Sequence, residues 1–251
     1  MARKQNWYGP EERNRFVGIL SKILTFRRAG VEGYLFRSSL IKSYLSSSKV
    51  AKLQLGAAHN TIDGWLNTSL RPRSPRMVFL DVTQPFPFGP AVFDYVLSEH
   101  LIEHLTYNDG RFMLAECFRI LKPGGKIRIS TPDLKMLAGL LFEEDGKNKQ
   151  YVNWIATTFP RDIPAENAAM VINNLFYNWG HRFLYDFFTL KRTLEETGFT
   201  DIRAYEIGMS DDEVLRGIEL HGGKSAVAQE MSRFEALVVE AVRPRLEAPG
   251  P

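Results

Sequence analysis

The chain has 251 residues, and its 44% hydrophobic and 24% charged residues are typical of a globular protein with a buried core. Its single cysteine, Cys117, excludes an internal disulfide and a cysteine-rich metal cluster. No apolar run approaches the ~20 residues that a membrane-spanning helix needs, and the first six residues lack the apolar stretch of a signal peptide. The sequence therefore predicts a cytoplasmic protein without a transmembrane segment.

The net charge of +3 is unevenly distributed along the chain. Residues 1–49 carry ten Lys or Arg and three Glu, which makes this stretch strongly basic and the remainder acidic. A basic helical extension packed on the domain is the simpler interpretation. An anionic partner, such as a membrane surface or a phosphorylated substrate, is the alternative, and nucleic acid is not the expected partner.

Apolar periodicity predicts alternating helices and strands, which is typical of the α/β class. Helices are expected at 11–25, 38–45, 107–121, 134–144 and 186–197. Strands are expected at 50–55, 65–70, 77–80, 92–98, 126–131, 201–207 and 234–241, the last two as an antiparallel edge. The division is a basic helical extension (1–49), a main domain (50–243) with an inserted, aromatic-rich helical cap (149–182), and a flexible tail (244–251).

Small or polar residues follow several of these strands. The stretch Leu53-Gln54-Leu55-Gly56-Ala57-Ala58 is followed by a Gly-Trp-Leu-Asn sequence, and Asp81 ends the third strand. Phe93-Asp94-Tyr95-Val96 precedes Leu121-Lys122-Pro123-Gly124-Gly125. In an open parallel sheet, ligands bind where the strands end.

This order of motifs resembles the class I S-adenosylmethionine-dependent methyltransferases, in particular small bacterial enzymes of the type 11 family. The resemblance covers roughly residues 50–133. It implies a Rossmann-like, doubly wound, seven-stranded sheet, mostly parallel with an antiparallel last strand, and S-adenosylmethionine as the cofactor. It also implies a methyl acceptor that is a small molecule or a glycan.

The resemblance assigns the cofactor site residue by residue. It would be formed by Gln54, Gly56, Ala57, Ala58, Ser69, Asp81, Val82, Ser98 and Glu99. Three of these depart from the family pattern: Ala58 replaces a glycine, Gln54 a frequent acid, and Ser69 the usual ribose-binding carboxylate. An alanine is tolerated if its φ is negative but costs more if its φ is positive.

Methyl transfer to a hydroxyl needs a nearby base. The candidates, in order, are His100 at the end of strand four, His181 in the cap, and Asp133 after strand five. Aromatic residues of the cap are expected to wall an acceptor pocket or to pack against the core.

The segment His100-Leu101-Ile102-Glu103-His104 also spells H-x-x-E-H, a zinc hydrolase signature. The motif begins at a strand end, a turn follows soon after it, and no third ligand is evident, so the sequence predicts no metal site. The G-x-G-x-x-G sequence of nicotinamide-dependent enzymes is absent. The expected activity is methyl transfer, and the alternative is a non-catalytic domain on the same scaffold with weakened or lost cofactor binding.

Overall fold

A computed structural model describes residues 36–74, 76–142, 146–159, 167–219, 221 and 225–245. The strands are β1 (Lys52–Leu55), β2 (Leu66–Ser69), β3 (Val78–Phe79), β4 (Phe93–Glu99), β5 (Leu121–Pro132), β6 (Thr200–Tyr205) and β7 (Ala236–Val242). The helices are α1 (36–47), α2 (Tyr107–Ile120), α3 (Leu134–Gly139), α4 (Gly146–Thr158), α5 (Ala168–Tyr177), α6 (Phe187–Thr197) and α7 (Ala226–Glu235). A 3₁₀ turn spans Ile102–His104.

In the described residues the strands form one seven-stranded sheet in the order β3-β2-β1-β4-β5-β7-β6. β1 to β5 pair in parallel, whereas β7 is antiparallel to both of its neighbours, β5 and β6. The expected mostly parallel, Rossmann-like sheet with an antiparallel last strand is confirmed. The order reverses beside β1, so the ends of β1 and β4 border a crevice of the kind that binds ligands in such folds.

The connection from β1 to β2 is too short for a helix. Parallel crossovers normally contain a dozen or more residues, and here residues 56–65 form only turns. The sequence allowed at most one or two helical turns in this connection. The backbone N–H of Ala57 instead donates to the carbonyl of Thr68 at 2.8 Å, which draws the end of β1 towards β2.

Strand β5 begins at Leu121, five residues before the expected start. The register with β4 shifts between Phe93 and Tyr95, so Pro123-Gly124-Gly125 lies within an irregular part of the strand. A Cβ at Gly125 would lie 3.0 Å from the carbonyl oxygen of Asp94, so only glycine fits against the neighbouring backbone.

Side-chain capping explains most helix starts. Thr106 accepts from the N–H of Asp109 and caps the start of α2. Asp186 caps α6, which ends at Gly198 with φ +106° as the sequence predicted. Two expectations were wrong. The helical cap was expected to begin at 149, but α4 begins at Gly146, and α7 was not foreseen.

Two large hydrophobic clusters and a smaller third one lie in the described residues. The larger lies between the sheet and α2 and α6, and includes Leu53, Val96 and Leu194. The second joins α3, α4, α5 and α7 through Tyr151, Leu175 and other side chains. The cap is therefore anchored on α7 as well as on its own helices, which holds it over the carboxyl ends of the strands.

Residues 213–218 cover part of the opposite face of the sheet, where Leu215 packs on Trp65 and Leu97. The fully buried Arg128 of β5 lies on this face. Its Nη1 donates to Glu240 at 2.5 Å and to the carbonyl of Met209 at 2.9 Å, and its Nε donates to Glu219 at 2.5 Å. This ion cluster holds the segment before His221 against the sheet.

None of the helices in the described ranges is long and apolar enough to cross a bilayer. The expected helix at 11–25 and the last six residues of the tail lie outside the described residues. The domain boundaries therefore stay predictions.

Candidate functional site

A cavity of about 290 Å³ opens at the carboxyl ends of β1, β4 and β5, beneath α4 and α5. Strand ends, cap aromatics and imidazoles share its wall. It is lined by Gln54, Gly56, Ala57, Ala58, Asn60, Glu99, His100, Glu103, His104, Pro132, Trp154, Ile155, Phe159, Leu175, Trp179, His181, His221 and Glu235. Seven of the expected site residues are in this list: Gln54, Gly56, Ala57, Ala58, Glu99, His100 and His181.

The turn after β1 requires left-handed backbone. Gly56 has φ +63°, and a Cβ there would lie 3.0 Å from a methyl carbon of Leu101. Ala58 has φ +46°, the unfavourable case that the sequence left open. An L-residue pays roughly 1–2 kcal/mol for this region, so Ala58 holds strained backbone at the cavity.

Two polar side chains that line the cavity, Gln54 and Glu99, are buried. Gln54 donates through Nε2 to the carbonyl of Asn60 at 2.8 Å, while its Oε1 has no hydrogen-bond partner in the described structure. Glu99, at the end of β4, accepts from the N–H of His221 at 2.9 Å. A buried polar atom without a partner costs about 1–3 kcal/mol, which a ligand's donor could recover at Gln54.

The remaining expected residues do not line this cavity. Asp81 accepts through Oδ1 from the N–H and the hydroxyl of Thr83, at 3.0 and 2.7 Å. Ser69 accepts from the N–H of Arg71. Val82 packs in the main hydrophobic core and Ser98 is fully buried in β4. The Asn67 side chain, two residues before Ser69, accepts from the N–H of Ile62 and donates to the carbonyls of Ile62 and Trp65.

Asp133, the third candidate base, caps α3 by accepting from the N–H of Lys135 at 2.9 Å. It too lies outside the cavity lining. Burial raises the pKa of its carboxyl.

His100 and Glu103 form a buried pair. His100 Nδ1 lies 3.3 Å from Glu103 Oε1, and Glu103 Oε2 accepts from the hydroxyl of Thr131 at 3.1 Å. Burial opposes the charged form of His100, but the contact with Glu103 outweighs it and raises the pKa of the imidazole. Likewise, burial opposes ionisation of Glu103, but the contact with His100 lowers its pKa. His100 also has φ +44°, and such strain gathers at functional sites.

His181, the second candidate base, packs against His104, which was not among the expected site residues. The rings of His104 and His181 lie edge to face, with centroids 4.9 Å apart. His104 Nδ1 lies 3.3 Å from the carbonyl of Gly180. Burial lowers the pKa of His181 to about 4, so its imidazole is neutral at neutral pH.

Sequence reasoning missed His221 and Glu235 entirely. His221 stacks on His100 with centroids 3.6 Å apart. Glu235 ends α7 and accepts from the hydroxyl of Tyr151 at 2.5 Å. Its pKa is raised by burial. Neither residue belongs to a motif. The signal that could have indicated His221 was a lone histidine before two glycines.

The chain was compared with known proteins. Residues 54–129 match the family model described as a methyltransferase domain. The match covers 76 of the 251 residues. The class I resemblance seen in the sequence is thereby confirmed, together with S-adenosylmethionine as the cofactor expected of such a domain. No curated protein matches the chain by sequence.

Solved structures with a similar fold include two S-adenosylmethionine-dependent methyltransferases. That from Thermotoga maritima is 17% identical, with a TM-score of 0.44, and the match covers 91% of this chain and 97% of that one. The one from Archaeoglobus fulgidus is 15% identical, with a TM-score of 0.43 and coverage of 88% and 98%. A chain of a Haloferax volcanii complex of a methyltransferase and its activator is 15% identical, with a TM-score of 0.42 and coverage of 88% and 96%.

Proposed function

We propose that the protein is an S-adenosylmethionine-dependent methyltransferase acting on a small-molecule or glycan acceptor. One observation carries the proposal: the methyltransferase domain contributes both the turn at Gly56–Ala58 and the end of β4 to one cavity, which the aromatic cap covers. An acceptor under the cap would then lie next to a cofactor held at the strand ends.

The residues at the end of β1 fit the methionine part of the cofactor. The left-handed turn at Gly56 lets backbone approach a ligand closely. The unpartnered Gln54 Oε1 is an acceptor for an ammonium group, and the carboxylate of Glu99 lies in the same wall. When bound, the cofactor supplies an electrophilic methyl group, so the protein's task is to orient the acceptor and to exclude water.

His100 is the base that the geometry favours. Glu103 holds its Nδ1 side, while its buried Nε2 has no hydrogen-bond partner in the described structure. A carboxylate that fixes one imidazole nitrogen and leaves the other free is the arrangement of many general bases. Asp133, in contrast, already caps α3.

The acceptor side of the cavity is aromatic. Trp154, Phe159 and Trp179 pack edge to face, with centroids about 5.3 and 5.5 Å apart, and all three line the cavity. Such a wall suits a sugar face or an aromatic ring. The buried indole N–H of Trp179 has no partner in the described structure and could donate to the acceptor.

A non-catalytic scaffold is the second candidate. It is favoured by the side chains at the ends of β2 and β3, because Asn67, Ser69 and Asp81 make hydrogen bonds within their own turns. A protein that had lost the adenosine contacts would show this arrangement.

Calorimetric titration with S-adenosylmethionine and S-adenosylhomocysteine separates the two candidates. We expect saturable binding of both with micromolar dissociation constants. Glu99→Gln should weaken binding at least tenfold, whereas Glu230→Gln, a change of the same kind at an exposed position on α7, should not. No detectable heat up to millimolar ligand would establish the scaffold instead.

A further inference from the structure

Four of the five histidines of the chain line the one cavity. They are His100, His104, His181 and His221, and only His59 lies elsewhere, exposed in the turn after β1. Methyl transfer with one base uses one of these imidazoles. The other three therefore call for a further explanation.

The H-x-x-E-H motif does not fold as the α-helix of zinc hydrolases. Its residues form a single 3₁₀ turn, Ile102–His104, after the strained residue His100. The turn separates the two histidines of the motif. His100 stacks on His221, and His104 packs against His181.

Two sets of three side chains bring one ligating atom each to within 4.8 Å of one another. The first set is His100, His221 and Glu235. A metal ion lies in the plane of each imidazole that binds it, and these two rings are 3.6 Å apart and only 15° from parallel. Planes so arranged do not meet near the rings, so this set cannot share an ion without turning one ring.

The second set is Glu103, His104 and His181, and its geometry is favourable. The rings of His104 and His181 are inclined by 68°, so their planes intersect close by. In a tetrahedral zinc site with bonds of about 2.0–2.1 Å the ligand atoms lie about 3.4 Å apart. The set therefore needs side-chain shifts of only about 1 Å.

The surroundings of this set match those of metal ligands. His104 Nδ1 lies 3.3 Å from the Gly180 carbonyl, which would hold the N–H there and leave Nε2 as the ligand. His181 Nδ1 is buried without a partner in the described structure. The fully buried Glu103 uses only two of the roughly four lone-pair positions of a carboxylate, for Thr131 and His100.

We propose that Glu103, His104 and His181 bind a divalent transition-metal ion of the zinc class. The set of two histidines and one carboxylate leaves at least one coordination position open, as in catalytic rather than structural sites. His104 is exposed, which provides a path of entry for the ion. The expected absence of a metal rested in part on the lack of a third ligand. His181, which lies 77 residues after His104 in the sequence, would supply that ligand.

This inference does not depend on the proposed methyl transfer, because metal binding is measured without cofactor or acceptor. The protein should be prepared without a histidine tag and stripped with a chelator. Titration with Zn²⁺ against a chromogenic chelator should give one site per chain. Co²⁺ should produce visible absorption without a thiolate charge-transfer band, since Cys117 is buried.

Variants test the ligand assignment. His104→Gln and His181→Gln should each weaken Zn²⁺ binding at least tenfold, while His221→Gln and the control His59→Gln should leave it unchanged. Loss of binding in His221→Gln with retention in His181→Gln would overturn the assignment in favour of the other set. Failure of the unsubstituted protein to bind Zn²⁺ would overturn the proposal. If a variant does not fold, X-ray absorption of the Zn²⁺-loaded unsubstituted protein must still show two imidazoles.

Discussion

The two sides of the crevice differ in how completely their polar side chains are hydrogen-bonded. On the histidine side (Gln54, His100, Glu103, His104 and His181), several buried nitrogen and oxygen atoms have no hydrogen-bond partner in the described structure. On the β2–β3 side (Asn67, Ser69 and Asp81), each side chain is bonded within its own turn. Since an unpartnered buried group costs about 1–3 kcal/mol, the histidine side gains most from a ligand. Position in a motif alone does not distinguish these two situations.

The largest effect should come from the turn that opens the histidine side. In Gly56→Ala the alanine would have to adopt φ +63°, and its Cβ would lie only 3.0 Å from a methyl carbon of Leu101. We expect the free energy of unfolding to fall by about 2–3 kcal/mol, from the left-handed penalty and the contact together. Cofactor affinity should fall at least tenfold. Urea unfolding and calorimetry measure the two quantities.

Gly208→Ala is the matched control for this change. Gly208 has φ +77° with open space around its Cβ position, so it reports the backbone penalty alone, about 1 kcal/mol. Ala58→Gly should act in the opposite direction, because it relieves the strain at φ +46°. Equal losses in Gly56→Ala and Gly208→Ala would show that close packing at Leu101 does not matter.

Much of the fold could be predicted because local sequence determines it. Apolar runs located the seven strands, and Asp186 and Gly198 marked the ends of α6 through capping and left-handed backbone. The turn at Gly56 was recognisable because only small residues fit there. The early start of β5 was missed, because its irregular part depends on backbone pairing with β4 rather than on local propensity.

The site was less predictable, because its residues come from distant segments. His221 donates to Glu99, which lies 122 residues earlier in the sequence. The segment before His221 is held on the sheet by the ion cluster around Arg128. Glu235 joins it through α7, a helix that the sequence did not indicate. Conversely, Asp81 has the expected motif position, but its bonds to Thr83 are visible only in the structure.

An intermediate effect is expected from Asp81, which tests whether the β2–β3 side binds at all. Asp81→Asn keeps an oxygen for the Thr83 turn but removes the negative charge. If this side binds the adenosine, calorimetry should show S-adenosylmethionine affinity about tenfold weaker, or about 1.4 kcal/mol, with the melting temperature nearly unchanged.

Thr83→Val is the control, since it removes the hydroxyl from the turn but leaves the carboxylate in place. It should leave affinity unchanged. Unaltered affinity in Asp81→Asn would remove this aspartate from the nucleoside site. The two sides of the crevice would then differ in ligand binding as well as in hydrogen bonding.

The smallest effect concerns the segment after Asp81, which contacts within the protein hold in place. Glu116 of α2 accepts from the N–H of Phe86 at 2.6 Å, and Arg119 donates to the carbonyl of Phe88 at 2.8 Å. The hydrogen bonds from Arg119 lower the pKa of Glu116, and the bond from Phe86 contributes. Glu116→Gln should reduce the free energy of unfolding at pH 7 by about 1 kcal/mol.

The pH dependence follows from the direction of that shift. A carboxyl whose pKa is lower in the folded state stabilises it at pH values above the ordinary value, and the contribution disappears as pH falls through the lowered value. The difference between the unsubstituted protein and Glu116→Gln should therefore shrink from pH 5 towards pH 3 in urea unfolding. Glu196→Gln, at an exposed ion pair on α6, should show a much smaller difference at every pH. A constant difference would mean that Glu116 acts through packing, and the β2–β3 side would then be held by shape rather than by charge.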